Sequence, residues 1–357
     1  MTIEMLATVE LQLIMQCLPL RDIIYFSNCS KYFLESACSS FAWAFAHPIL
    51  TCEYHFDIIQ CEQQGVRKQL FSKSHFPINY SRLAFQCYDG YVQKDSLDRL
   101  SKSILQTSKR VVSIELSAFE HSDDVFKTIV EASKSFGLNN LQHLQITGQI
   151  GVIKVPDLVS IVEKNPNMTN LELRSCFITD EGVTMLANAI YIHPNLKILN
   201  LDSNKIDQTG ICALSATISN ISHLSLGYCK PGIAGIEALS NAIRKSIKMV
   251  NLDLSWSEID DSGIQILAEA AKMSTSLKSL KLNKNKITDK GAVYLAEMIQ
   301  CSSSMTYLSV ARNQLTQEGI DLLTQAMKHC KDMSGSNVTV IYKFERTFKK
   351  SNDHLFM

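Results

Sequence analysis

The sequence predicts an α/β solenoid, with parallel strands on a concave face and helices on a convex one, preceded by a small all-α module. Three observations carry that prediction. Residues 196–218 (LKILNLDSNKIDQTGICALSATI) and 277–299 (LKSLKLNKNKITDKGAVYLAEMI) share one template, LxxLxLxxNxIxxxGxxxLxxxI. Further copies begin at Val111, Leu141, Met168, Ile221, Met249 and Met305, so that successive starts lie 25 to 30 residues apart, most often 28. Within each copy the apolar period changes from two to about four, which is the change from a strand to a helix.

The first segment, residues 1–46, lies outside the template. Leu11, Ile14 and Leu18 recur at helical spacing until Pro19 interrupts them. Asp22 is placed to cap a second helix that begins with Ile23 and Ile24, and Ser30 to cap a third through Tyr32, Phe33 and Leu34. A helical cluster of about 40 residues is small for an independent domain, so it needs a neighbour to pack on.

Residues 47–110 read as a linker and one degenerate capping repeat. Tyr80, Leu83 and Phe85, followed by Leu97, Leu100 and Ile104, give a worn version of the strand-then-helix pattern. His47, His55 and His75 are eight or more residues apart, as are Cys52, Cys61 and Cys87, which matches no zinc-site spacing.

The repeats proper occupy residues 111–332. Leu199 and Leu201 alternate with Asn200 and Asp202, as in a strand with one buried face. Gly210, Leu214 and Ile218 are four apart, as on one face of a helix. A single strand–loop–helix unit cannot bury its own apolar face, so copies must stack, strands parallel. Asn204, Asn285 and Asn313 fill a slot just after the strand, where an amide side chain can satisfy backbone groups of adjacent turns. Cys176, Cys229 and Ser257 take that slot in other copies. Gly182, Gly210, Gly235, Gly263, Gly291 and Gly319 fill another, where close approach at the helix entry is expected. Asp260-Asp261 precedes a helix, and its carboxylates read as helix capping. In residues 333–357, Val338 and Val340 alternate as a final strand that caps the stack, and Lys343, Arg346, Lys349 and Lys350 form a basic tail.

These residues resemble leucine-rich repeats of the long, helix-containing ribonuclease-inhibitor type, over roughly residues 111–330. The leading segment resembles an F-box. It has Glu10-Leu11, Ile14, Leu18, Pro19, Asp22-Ile23, Ser30-Lys31 and Trp43, with Ser30 eight positions after Asp22 as in that family. It departs from the family at Ala7-Thr8, where Leu-Pro is usual, and at Cys29. The resemblance implies that Glu10, Leu11, Ile14, Leu18, Pro19, Asp22 and Ile23 bind a Skp-family adaptor, and through it a cullin scaffold, by packing apolar side chains. Leu11, Ile14, Leu18, Pro19 and Ile23 are either that surface or its supporting core. The implied function is that of a substrate-recognition subunit of an SCF-type cullin–RING ubiquitin ligase, with the repeats recruiting the target.

In a solenoid of this kind the non-template strand positions on the concave face are free to bind. They are Glu115 and Ser117, Gln145 and Thr147, Glu172 and Arg174, Asn200 and Asp202, Ser225 and Gly227, Asp253 and Ser255, Lys281 and Asn283, and Ser309 and Ala311. Tyr228, Trp256, Lys284 and Arg312 follow them. Acidic residues prevail in the early and middle turns, while Lys281, Lys284 and Arg312 cluster late. Tyr228 and Trp256 between them make the expected centre of a protein footprint, because aromatic residues next to charge dominate binding energy at interfaces. Glu172, Arg174, Asp202, Asp253, Lys281, Lys284 and Arg312 complete the candidate target-binding set.

Composition bounds these readings. The 357 residues carry 35 Lys+Arg and 35 Asp+Glu, a balance that argues against a strongly basic nucleic-acid binder. A hydrophobic fraction of 46% with 20% charged residues belongs to a folded chain. Eleven cysteines, an odd count with no CxxC, read as reduced thiols of the cytosol or nucleus. No run approaches the roughly 18–20 apolar residues that span a bilayer, and Glu4 and Glu10 break any signal-peptide pattern. Neither a membrane nor a nucleic acid is expected as partner, and no cofactor, metal or catalytic group is assigned, since GxGxxG, GxxxxGK[ST], HExxH and GxSxG are all missing. Two alternatives stand beside the ligase reading. One is a GTPase-activating protein of the Ran class, which is similar in its repeats and for which Arg174 would be the contributing arginine, although its tail is typically acidic. The other is a plain repeat scaffold or sensor.

Overall fold

The computed structural model describes residues 49–51, 82–85, 112–117, 122–135, 138–148, 155–334 and 338–342. The F-box-like residues at 10–43 and the basic tail lie outside the described residues. The chain divides into two compact units, residues 1–205 and 206–357.

In the first unit the strands are β1 (Ile49–Thr51), β2 (Arg82–Phe85), β3 (Ser113–Ser117), β4 (His143–Thr147), β5 (Asn170–Arg174) and β6 (Ile198–Asn200). Each pairs in parallel with the next in chain order. The register brings template positions into line: Ile114, Leu144, Leu171 and Leu199 form one rung after another. Three helices alternate with these strands, α1 (Ser122–Ser135), α2 (Val155–Lys164) and α3 (Asp180–Ile192). The strand β2 falls where the degenerate repeat is expected. The strand β1 has no such forerunner in the pattern.

In the second unit β7 (His223–Ser225), β8 (Asn251–Asp253), β9 (Ser279–Lys281), β10 (Tyr307–Ser309) and β11 (Thr339–Ile341) are again parallel neighbours. The helices are α4 (Gln208–Ser215), α5 (Gly232–Lys245), α6 (Asp261–Met273), α7 (Asp289–Cys301) and α8 (Gln317–Ser334), with successive ones packed side by side. The expected final strand is present, although Met333 still belongs to α8. The copy that begins at Leu196 is 25 residues long instead of 28, and its helix α4 has only eight residues, followed by a 3-10 turn at Ile218–Asn220. The shortfall opens a cleft of about 290 Å³ between α4 and α5, lined by Cys212, Ser215, Ala238, Asn241 and Lys245 among others.

Parallel strands alternating with helices, one of each per repeat, make an α/β solenoid. Its core is the template. Leu171, Leu173, Leu186, Leu224, Leu226, Leu252, Leu254, Leu267, Leu280, Leu282 and Leu295 are all at most 2% exposed. Burying each such side chain contributes about 2 kcal/mol against exposure.

Side-chain ladders tie the repeats together. In the first unit Asn204 Oδ1 accepts from the backbone N–H of Cys176 and Ile178, each at 3.0 Å, while its Nδ2 donates to Leu173 O and Leu201 O. In the second, Asn285 does the same for Ser257, Ile259 and Leu254, and Asn313 for Asn285, Ile287, Leu282 and Val310. The amide is suited to this slot because one group both accepts and donates. Cys176 and Ser257, with only a thiol or hydroxyl there, donate to the carbonyls of Ile146 and Leu226. Burial pushes the Cys176 thiol up to about 12.

A second ladder departs from the capping expected of Asp260-Asp261. Asp260 does cap its own helix, accepting from Ser262 N and Gly263 N. Asp261 instead serves the next repeat, accepting from Thr288 N, Thr288 Oγ1 and Gly291 N. Asp289 repeats this with Thr316 N, Thr316 Oγ1 and Gly319 N. These carboxylates explain the glycine at two copies of the slot, while at Gly182, Gly235 and Gly263 a Cβ would instead crowd apolar side chains such as Ile178, Ile211 and Ile259. A Cβ added at Gly291 would run into Asp261 Oδ1, and one at Gly319 into Asp289 Oδ1.

Candidate functional site

Along every strand the template buries alternate residues and leaves the others at the surface of the sheet. In the first unit this places Gln145 opposite Glu172, and Thr147 opposite Arg174. Arg174 and Glu172 close on each other, with Arg174 donating to the carboxylate at 2.6 Å. Glu115 is only 8% exposed and Asn200 only 7%. Asn200 turns its Oδ1 to the backbone N–H of Asp202 at 2.9 Å, so it holds the turn and presents little to a partner.

In the second unit Asp253 lies beside Lys281 in register, with a carboxylate–ammonium distance of 3.4 Å. Ser309 is buried and donates its hydroxyl to Asn283 Oδ1 at 2.6 Å. The acidic early and basic late residues are thus partly paired with one another. The acidic residues Glu172 and Asp253 are each drawn against a cation of their own or the adjacent strand, and such surface pairs are worth about 0–1 kcal/mol.

The positions just after the strands are set by the backbone. Ser175 and Ser203 in the first unit, and Tyr228, Trp256, Lys284 and Arg312 in the second, all have φ between 56° and 63°. That left-handed conformation turns the chain out of the sheet and projects each side chain from the loop edge. Backbone N–H groups hold the conformation: Tyr228 N donates to Ser255 O, Trp256 N to Asn283 O, and Lys284 N to Ala311 O.

On that edge Tyr228 and Trp256 stack, with ring centroids 4.6 Å apart and planes inclined by 16°. Lys284 Nζ lies 4.2 Å from the centre of the Trp256 ring. The tyrosine is 49% exposed and the tryptophan 41%. Partial burial raises the Tyr228 phenol, and the positive charge of Arg312 opposes that rise. Two residues beyond Trp256, Glu258 is clamped between Lys286 at 2.9 Å and Lys230 at 3.4 Å, chiefly by the Lys286 hydrogen bond, which holds its carboxyl below the ordinary value. The first unit has a smaller version, Lys205 Nζ at 4.8 Å from the Phe177 ring.

The structure therefore brings together Tyr228, Trp256, Lys284 and Arg312 as one edge, with Asp253 and Lys281 on the adjoining strands. Glu172, Arg174 and Asp202 belong to the first unit. Sequence reasoning missed a whole outward row, two residues earlier on each strand: His143, Asn170 and Ile198 in one unit, and His223, Asn251, Ser279 and Tyr307 in the other, all half-buried. Stepping the period-2 alternation one place further back would have found it. Among the described residues, no three or more His, Cys, Asp or Glu side chains converge where they could hold a metal ion, and no helix is long and apolar enough to cross a membrane.

The family model described as "Leucine Rich repeat" matches residues 164–187, 193–215, 245–268 and 274–296. The chain thus carries leucine-rich repeats, and repeats of this kind imply a role in protein interaction. Human "NACHT, LRR and PYD domains-containing protein 13" is 32% identical over 97 residues, which is 26% of this chain and 9% of that one. Mouse "NACHT, LRR and PYD domains-containing protein 14" is 30% identical over 95 residues, 26% of this chain and 10% of that one. The chain spans about a tenth of the length of these relatives. Among solved structures, "Leiomodin-1 Actin-Binding Site 2 (ABS2)" is similar at 14% identity with a TM-score of 0.31, covering 49% of this chain and 87% of that one, too slight a likeness to bear on function.

Proposed function

We propose that the chain is a non-catalytic protein-binding protein whose second unit contacts its partner through the loop edge at Tyr228 and Trp256. One observation carries the reading. Two aromatic rings are stacked in the open, half-exposed, on a backbone that holds them there. An isolated exposed ring needs no explanation, but a paired and preorganised one loses little entropy when covered. Asp253, Lys281, Lys284 and Arg312 form the polar rim of that edge; Glu172, Arg174 and Asp202 are a separate candidate contact on the first unit. The test compares wild type with the Tyr228→Ala/Trp256→Ala double variant in partner capture. We expect capture to fall at least tenfold while the variant still unfolds cooperatively, well above the assay temperature; unchanged capture would sink the assignment.

The finer reading makes this protein the substrate-recognition subunit of an SCF-type ubiquitin ligase, acting in the cytoplasm or nucleus. What supports it is the run Glu10-Leu11, Ile14, Leu18, Pro19, Asp22-Ile23, Ser30-Lys31 and Trp43. The two relatives, whose names include LRR, fit the plain scaffold or sensor and lend nothing to the ligase. Co-purification with a Skp-family adaptor, lost when residues 1–46 are removed, separates the two. Acceleration of GTP hydrolysis by a Ran-type GTPase, lost in Arg174→Ala, would establish the third reading instead.

A further inference from the structure

We propose that the segment bound on this edge is an acidic, extended stretch of polypeptide, a claim that rests on the protein-binding reading and names its chemistry. The argument is one of charge left over. Four lysines gather on the loops and strands around the rings: Lys230, Lys281, Lys284 and Lys286. Two carboxylates lie among them, and both are spent. Asp253 faces Lys281, and Glu258 is shared by Lys286 and Lys230. Among the described residues, no carboxylate pairs with Lys284. Its ammonium rests on the Trp256 ring, a contact worth about 0.5–1 kcal/mol at an exposed site. A carboxylate brought to that ammonium completes its coordination without displacing it from the ring, so the partner gains an ion pair in a place already half shielded from water.

The rings fix the rest of the footprint. Trp256 lies next to Tyr228 on one side and Lys284 on the other in repeat order, so an arriving chain can cover the exposed ring edges while its carboxylate reaches Lys284. Backbone polar groups of an extended segment find Ser255 and Asn283 beside them, on the strand-side row. A single-stranded nucleic acid also likes stacked rings and cations. Here Asp253 and Glu258 stand inside the patch and repel a phosphate backbone, whereas a polypeptide can place its acids around them.

The test pans the full chain against a random-peptide display library and measures recovered peptides by fluorescence anisotropy at low and high salt. We expect the enriched peptides to carry an excess of Asp and Glu and to bind more weakly as salt rises. Trp256→Ala should cost at least about tenfold in affinity, and Lys284→Gln about twofold to fivefold, with both variants still folded at the assay temperature and Trp256→Ala melting a few degrees lower. Neutral or basic peptides that are still lost in Trp256→Ala would overturn the acidic chemistry and leave the loop edge as the site. Acidic peptides that bind wild type and Trp256→Ala alike would overturn the site as well. No enrichment, or tighter binding of oligodeoxythymidylate than of the best peptide, would also overturn the proposal.

Discussion

Replacing Asn285 by alanine isolates the device that joins repeats in the second unit. The amide is 7% exposed and makes three hydrogen bonds to backbone outside its own loop. Its Oδ1 accepts from Ser257 N and Ile259 N at 3.0 Å each, and its Nδ2 donates to Leu254 O at 2.9 Å. Alanine leaves two N–H groups and one carbonyl without partners where water enters poorly. Each stranded group costs about 1–3 kcal/mol, and partial solvation pulls the total toward the low end, so about 3–5 kcal/mol is expected. Asn285→Asp keeps both acceptor contacts but sets a carboxylate oxygen against the Leu254 carbonyl in a buried slot, so it should not restore wild-type stability. Urea unfolding measures the total, and amide hydrogen exchange at Ser257 and Ile259 localises it. Both amides should lose protection in Asn285→Ala before the rest of the unit does. If unfolding shifts by less than about 1 kcal/mol and those amides stay protected, the ladder is decoration.

Further expectations concern neighbouring devices. Gly291→Ala should destabilise by about 1–3 kcal/mol, because the new methyl meets Asp261 Oδ1 and Ile287 Cγ2, read by thermal melting. Asp289 accepts from Thr316 and Gly319, with the Thr316 hydroxyl the largest cause, which lowers its carboxyl below the ordinary 3.8. A depressed carboxyl contributes stability above its unfolded value and loses it as pH falls through the folded one; wild type should therefore exceed Asp289→Asn at neutral pH, with the gap closing only below about pH 4. Iodoacetamide should label exposed Cys301 quickly at pH 8 and leave Cys176 unmodified, since its buried thiol stays protonated to about 12; peptide mass mapping reads both.

How much of this was legible in the sequence depends on the range of the interaction. The repeats, the strand and helix of each, the asparagine slot and the glycine slot all follow from a pattern that recurs. Tyr228 and Trp256 were legible as neighbours because the template aligns them. The carboxylate ladder was not, since Asp261 and Asp289 look like ordinary residues of a first helical turn. Only the structure shows Asp261 reaching the Thr288 and Gly291 of the repeat that follows. The ion pairs that consume Glu172 and Asp253 were equally hidden, because a list of outward residues gives the sign of each charge and not its distance to the next. The short helix α4 was visible as a 25-residue spacing, yet nothing in that number said that the loss falls on the helix. The strand β1 falls outside the template altogether.

The left-handed row ties the fold to the proposed site, and Trp256 shows how. A non-glycine residue at φ of 63° carries a steric cost of about 1–2 kcal/mol from its Cβ. The stack on Tyr228 and the ammonium of Lys284 return part of that, about 0.5–1.5 and 0.5–1 kcal/mol respectively. If the backbone and not the ring dictates the conformation, glycine should fit this position better than alanine. Trp256→Gly relieves the Cβ clash, while Trp256→Ala keeps it and loses the same ring contacts. Glycine also loosens the unfolded chain, which removes part of its advantage. The net expectation is that Trp256→Gly is more stable than Trp256→Ala by about 0.5–1 kcal/mol, the reverse of the order in a helix or strand. Both variants should be equally poor at binding. Equal or greater stability of the alanine variant in parallel urea titrations would mean that the loop relaxes when the ring is removed. The ring would then be holding the turn, and its exposure would be a consequence of folding with no surplus left for a partner.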